Sequence, residues 1–233
     1  MTEPSAPEFD AYSNDYDKHV NSALGVPGLT VDYFTKVKAN YIKDIFRRNF
    51  SEIDISVLDL GCGVGNYHPL IKTSVGQLTG VDVSSASIDL ARSRNPDVSY
   101  SCFDGTDLPF AANTFDAIFA ICVYHHVPIY DREALTKSAL NSLKPGGLLI
   151  IFEHNPQNPL TMRVVNRCEF DRDAVLLKSV EAEMLMRDTG FSDVRSKFIL
   201  TVPSFNSLSR SIDISLGSLG LGAQYYTVGR ANK

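Results

Sequence analysis

Val57-Leu58-Asp59-Leu60-Gly61-Cys62-Gly63-Val64-Gly65 is the stretch on which the reading of this chain turns. The Ile- and Val-rich run from Ile53 to Leu60 reads as a strand buried on both faces. It stops at three alternating glycines. Without a Cβ, Gly61, Gly63 and Gly65 permit a tight turn and a close approach of backbone to a ligand. About twenty residues further on, at the tip of the next strand, stands Asp82, at the spacing of an acid that holds ribose hydroxyls.

A dinucleotide site is the first candidate, and two details oppose it. Its fingerprint needs the third glycine one position later, where this chain has Asn66. A pyrophosphate also favours a loop free of nearby anions, whereas Asp59 immediately precedes this turn. A nucleoside carrying positive charge suits these residues better.

The segment Asp59 to Gly65 resembles the glycine motif of the class I S-adenosylmethionine-dependent methyltransferases. The resemblance continues through Gly80-Val81-Asp82, Phe103-Asp104, Phe115-Asp116-Ala117-Ile118-Phe119 and Leu143-Lys144-Pro145-Gly146-Gly147, in the family's order. It covers roughly the central half of the chain. Each motif is weak alone; the ordered set is specific. The resemblance implies a single α/β domain over residues 1–233. Its Rossmann-like sheet would be mostly parallel and seven-stranded, with helices on both faces and the last strand antiparallel.

The chain read in order agrees. Residues 9–30, with Tyr12 and Tyr16, are too aromatic for a disordered tail and are expected to cap the cofactor or strap the domain surface. Thr30 to Phe50 has helical periodicity, with Phe34, Val37, Tyr41, Ile45 and Phe46 on one face and a solvated basic remainder. Strands are expected at Gln77–Val83, Val98–Phe103, Asp116–Val123, Leu148–Phe152, Asp193–Val202 and Ala223–Arg230. Ser84 is expected to cap a helix ending before Asn95-Pro96. A helix over Asp131–Leu143 is expected to stop at Pro145, and another over Ser179–Thr189 to close at Gly190. Alternating strands and helices imply parallel pairing with ligands at the carboxyl ends of the strands. Residues 154–178 are long for a connection and read as a substrate-side insertion. Ser204 to Gly222 reads as a lid, a membrane-touching loop or a dimer contact, with a helix capping the sheet edge as the alternative.

The resemblance assigns the cofactor, S-adenosylmethionine, to Tyr16, Asp59, Gly61, Gly63, Asp82, Val83, Asp104 and His125. Gly61 and Gly63 would lie against its methionine moiety and Asp59 would organise their loop, directly or through the ligand amine. Asp82 would accept from both ribose hydroxyls, Val83 would pack on the adenine, and Asp104 would accept from the adenine amino group. Three acids after three consecutive strands argue for a ligand, because unpaired buried carboxylates are costly. For proton transfer the candidates are His126, Glu153 and His154, histidine being the usual base near neutral pH. Arg163, Arg167 and Arg172 are expected to pair with Glu169, Asp171 and Asp173 rather than to bind an anionic substrate. No metal cluster is visible in the linear spacing. Cys62, Cys102, Cys122 and Cys168 have no metal-ligand spacing and read as buried free thiols of a cytoplasmic protein.

The net charge of -5 disfavours nucleic acid as partner. No signal peptide or membrane span is expected. The favoured activity is methyl transfer, at oxygen, to a small-molecule, saccharide or lipid-linked acceptor; a homodimer is compatible. The alternatives are a non-catalytic S-adenosylmethionine-binding regulator and an NAD(P)-linked oxidoreductase.

Overall fold

The computed structural model describes residues 30–52, 54–168, 171, 173–203 and 206–233. The expectations for residues 9–29, Tyr16 included, and for Glu169 and Arg172 fall outside the described residues. The chain divides into two compact units, 1–105 and 106–233. Its sheet has seven strands in the order β3-β2-β1-β4-β5-β7-β6.

In the first unit α1 spans Val31–Asn49, capped by Thr30, whose side chain accepts from Tyr33 N. Val37, Tyr41, Ile45 and Phe46 are buried as the periodicity predicts. One basic residue departs from the expected solvated face. Lys38 is buried, with its ammonium 5.9 Å from the centre of the Tyr67 ring. Strand β1 (Ser56–Leu60) buries Val57, Leu58 and Leu60 completely, as a strand covered on both faces should. It leads through α2 (His68–Ile71) to β2 (Gln77–Asp82), then α3 (Ser85–Arg94) and β3 (Ser99–Cys102). The three strands pair in parallel. Ser84 caps α3 by accepting from Ser87 N, and the helix ends before Asn95-Pro96.

The second unit holds β4 (Phe115–Ile121), α4 (Arg132–Ser142), β5 (Leu143–His154), α5 (Pro159–Val165), α6 (Ser179–Asp188), β6 (Phe191–Ile199), α7 (Ser207–Leu216) and β7 (Gln224–Ala231). β4 and β5 are parallel; β7 runs antiparallel to both β5 and β6, so the last strand reverses as expected. Strand β5 is longer than predicted at both ends. Leu143 pairs with Phe115, but Leu148 pairs with Ala117, so Lys144-Pro145-Gly146-Gly147 bulge out between them. Gly147 has no room for a side chain there, since a Cβ would meet Lys144 O at 2.9 Å and Asp116 O at 3.0 Å.

Of the readings offered for Ser204 to Gly222, the helix is found. Asn206 and Ser209 form a reciprocal cap at its start. Asp213 is fully buried and accepts from the backbone of Leu200, Thr201 and Val202, pinning α7 to the end of β6. All four cysteines are free, but only Cys62 is buried and Cys102 is exposed, because the short β3 is covered less than expected. Among the described residues no helix is long and apolar enough to cross a membrane.

Candidate functional site

The first unit concentrates its polar residues where β1 and β2 end. Gly61, Gly63 and Gly65 all have positive φ, at 73°, 51° and 75°, the left-handed conformation that favours glycine. Gly61 N and Cys62 N both donate to Val81 O, so the turn is folded back onto β2. Gly63 N then donates to Asp82 Oδ2 at 2.8 Å, and Ser84 N donates to Asp82 Oδ1 at 2.9 Å. One carboxylate thus ties the glycine loop to the start of α3. Burial raises the Asp82 pKa, and hydrogen bonds from the backbone of Ser84, Gly63 and Val83 only partly offset it. The open side of the loop is at Gly63, where a Cβ would meet nothing within 4 Å.

Beneath the loop lies a buried chain of three side chains. Asp59 Oδ2 is 3.0 Å from His68 Nε2, and His68 Nδ1 is 2.6 Å from Tyr100 Oη. Asn95 Nδ2 donates to Gly65 O beside them. Burial raises the Asp59 pKa and His68 lowers it less than burial raises it. Asp59 was expected to organise the loop directly or through a ligand amine; in the fold its carboxylate meets His68, nine residues away. Gly65 packs against the same group, since a Cβ there would meet Asn95, His68 and Tyr100 at 2.8 to 3.0 Å.

Asp104 departs from the expected pattern. It is exposed, so the cost of a buried carboxylate gives no argument for a ligand at that position. Val83 is half-buried beside Asp82.

The second unit gathers a different cluster. Glu153 is fully buried, within β5 rather than after it. Its Oε1 accepts from Tyr124 N at 2.8 Å and its Oε2 pairs with His125 Nδ1. Both oxygens are committed inside the fold, which corrects the expectation that Glu153 faces substrate. Asn155 is likewise structural, its amide donating to Gly220 O and Gly222 O. His125, expected against the cofactor, is itself buried between Glu153 and Asp171, its Nε2 3.4 Å from Asp171 Oδ1. His126 Nε2 is 3.7 Å from the same oxygen. The His125 ring centre lies 4.1 Å from that of His126 and 5.4 Å from that of His154. His154 Nδ1 contacts Gln224 Nε2 at 3.3 Å.

Charge follows from these contacts. Burial opposes a proton on His125, but Glu153 and Asp171 overcome it and raise its pKa to about 10. Burial would also raise Glu153 and Asp171, yet the neighbouring imidazoles hold both below the ordinary carboxylate range. Burial, reinforced by the charge on His125, pushes His126 down to about 4. At neutral pH, therefore, His125 is charged and His126 is not.

Sequence reasoning missed His68 and misread Asp171, which faces histidines instead of the arginines expected to pair with it. No spacing rule connects His68 to Asp59 or Asp171 to His125; the fold makes those pairs. Arg163 and Arg167 line a cavity of about 650 Å³ with Pro156, Pro159 and Met162. The connection bearing them is tied down near its end. Val175 N donates to His125 O, Arg132 Nη2 donates to Val175 O, and Tyr225 Oη donates to Leu177 O.

Comparison with known proteins places this geometry. A family model described as a methyltransferase domain matches residues 58–151. Methyltransferase GfsG of Streptomyces halstedii is 34% identical over 113 residues, covering 44% of this chain and 40% of that protein. O-methyltransferase resE of Aspergillus sclerotiorum is 30% identical over 161 residues, covering 64% of this chain and 59% of that protein. The chain thus spans about half the length of these relatives. A SAM-dependent methyltransferase of known structure from Thermotoga maritima has the same fold, with a TM-score of 0.68 at 20% identity, covering 96% of this chain and 98% of the other.

Proposed function

We propose that this chain, whose residues 58–151 match a methyltransferase domain, is a class I S-adenosylmethionine-dependent methyltransferase and transfers the cofactor's methyl group to an oxygen of a small-molecule, saccharide or lipid-linked acceptor. The observation that carries the reading is the Asp82 carboxylate. It is nearly buried at the end of β2, anchored by Gly63 N and Ser84 N, beside a glycine loop open at Gly63. Backbone amides hold both oxygens in place, and the carboxylate keeps acceptor capacity for the paired hydroxyls of a ribose. The cofactor supplies a methyl group on a cationic sulfonium. Gly61 and Gly63 present backbone to its methionine moiety, Val83 packs on its adenine, and the exposed Asp104 accepts from the adenine amino group. Asp59 acts from beneath, through His68, by holding the loop in shape.

Methyl transfer demands alignment and exclusion of water more than a set of catalytic groups. On the acceptor side His126 is the proposed proton acceptor. Its pKa of about 4 leaves it unprotonated at neutral pH, though a weak base, so its contribution to rate is modest. Glu153 is a positioning residue for His125. The acidic net charge supports a small acceptor over a polyanion.

Two measurements test this reading. Asp82→Ala should weaken S-adenosylmethionine binding by about two orders of magnitude or more in calorimetry, the loss of paired charge-assisted hydrogen bonds, while the circular dichroism spectrum stays that of a folded chain. Wild-type affinity in that variant overturns the site. Methyl-labelled cofactor incubated with cell extract should place label in the small-molecule, glycan or lipid fraction. Label in protein or RNA overturns the acceptor class, and binding without any transfer supports a regulator.

A further inference from the structure

The second unit holds side chains that the methyl-transfer reading does not use. Among the described residues, three buried side-chain polar atoms lack a hydrogen bond of good geometry: Gln224 Oε1, Thr201 Oγ1 and His125 Nε2, the last having only its ion contact with Asp171 at 3.4 Å. Two of the three belong to one cluster, since Gln224 contacts His154 and His154 neighbours His125. Native folds rarely leave such atoms unsatisfied, and each one calls for an explanation.

The same cluster has the donor set of a metal site. One ligand atom each from His125, His154 and Asp171 lies within 4.8 Å of the others. Around a tetrahedral ion with bonds near 2.1 Å, ligand atoms stand roughly 3.4 Å apart. His125 Nε2 and Asp171 Oδ1 are already at 3.4 Å. Asp171 and His154 are only partly buried, which leaves their side chains room to adjust.

The surrounding contacts also suit a metal. A ligating histidine normally gives its other ring nitrogen's proton to a carboxylate or carbonyl, which fixes the tautomer. His125 Nδ1 is paired with Glu153 Oε2 and leaves Nε2 facing Asp171. For His154 the corresponding group is Gln224. Turning that amide over presents its Oε1 to His154 Nδ1, which fixes that ring's proton on Nδ1. A pair of histidines and one carboxylate selects a first-row transition ion or zinc over magnesium or calcium, which prefer all-oxygen sites.

We propose that His125, His154 and Asp171 form a binding site for one divalent transition-metal ion, which displaces the His125 Nε2 proton to solvent on binding, with Glu153 and Gln224 orienting the two imidazoles. Three protein ligands leave a coordination position open, as in sites that also bind water or substrate. The contact of His126 Nε2 with Asp171 Oδ1 at 3.7 Å sets that imidazole beside the ion. The proposal stands on the second unit alone and does not depend on cofactor binding by the first.

The test uses the full chain, stripped with chelator and titrated with Zn2+ in a calorimeter, with Co2+ absorption as an independent readout that needs no variant. One Zn2+ per chain is expected, with visible d–d bands on adding Co2+ and no competition from Mg2+ at equal concentration. Asp171→Asn and His154→Ala should each lower Zn2+ affinity by at least about tenfold, with S-adenosylmethionine affinity kept as evidence of a folded chain. Absence of Zn2+ binding to the wild type, or affinity unchanged in both variants, overturns the site and leaves Glu153-His125-Asp171 as an ion triad only. Loss of cofactor binding by Asp82→Ala reports on the other reading and leaves this one intact.

Discussion

Each unit buries a histidine against a carboxylate, and the two pairs behave differently. Asp59 and His68 in the first unit are as hidden as Glu153 and His125 in the second. Yet Asp59 has its pKa raised, whereas Glu153 has it lowered. The third partner makes the difference. His68 reaches from Asp59 to the neutral phenol of Tyr100, so nothing in that chain favours separated charge beyond the pair itself. His125 reaches from Glu153 to a second carboxylate, Asp171, which favours a cation between two anions. A buried imidazole-carboxylate contact is thus a hydrogen-bonded strut in one place and an ion triad in the other. The contact distance alone does not tell which; the next neighbour does.

The largest effect is expected from breaking the charged pair. His125→Leu leaves Glu153 buried without its cation and should cost about 3–5 kcal/mol in urea unfolding at pH 7. The same variant checks the sign. The His125 pKa is raised to about 10, so its contribution is complete below its ordinary value near 6.5 and is lost as pH rises towards 10. Wild-type stability should fall across that range and the fall should be absent in His125→Leu. A variant with an unchanged alkaline limb would remove the ion-triad account. Glu153, held low, acts at the other end: its contribution is present above its ordinary value of 4.5 and is lost as pH falls through the lowered one.

Gly65→Ala probes the Asp59-His68-Tyr100 network from its edge. The residue has φ of 75°, and a Cβ would crowd Asn95, His68 and Tyr100. Left-handed strain of roughly 1–2 kcal/mol plus overpacking of about 1–3 kcal/mol should lower stability by about 2–5 kcal/mol and disturb the loop at Gly63. Unfolding and cofactor titrations should shift together; a shift in neither would show that the loop is not held from beneath.

The smallest effect is expected at Asp59. Its raised pKa means that burial outweighs His68, so the folded state holds the proton more tightly than the unfolded one, and charge is a growing cost as pH rises through that raised value. Asp59→Asn removes that cost and loses only part of a hydrogen bond, about 1 kcal/mol. Its deficit relative to wild type should shrink as pH rises from 4 to 7 in the same unfolding assay. A loss as large as that of His125→Leu would erase the contrast between the pairs.

The first of these networks was partly legible in the sequence and the second hardly at all. The glycines, the acid at the tip of β2, the cap at Ser84 and the stop at Asn95-Pro96 are local features, each decided within a turn or a few residues. Asp59 was identified, but His68 was not, because its contact needs α2 folded beneath the loop. Asp104 was grouped with Asp59 and Asp82 on position along the chain, although β3 leaves it exposed. Glu153 and His154 were placed beyond β5, because the apolar run ends at Phe152 while the pairing of Glu153 with Tyr225 and His154 with Gln224 extends the strand.

By itself, then, the amino-acid sequence determined the alternation of strands and helices, the glycine turn and the resemblance to a methyltransferase domain, because periodicity, backbone freedom and motif order are properties of neighbouring residues. Only the tertiary structure decided which acids are buried, which histidine each one meets, and which of those contacts carries charge. Burial and electrostatics depend on groups brought together from distant parts of the chain: Glu153 lies 28 residues from His125, and Asp171 comes from a different connection altogether. Desolvation and Coulomb attraction act through space, so the same pair of residue types yields a hydrogen-bonded strut under the glycine loop and an ion triad beside β5.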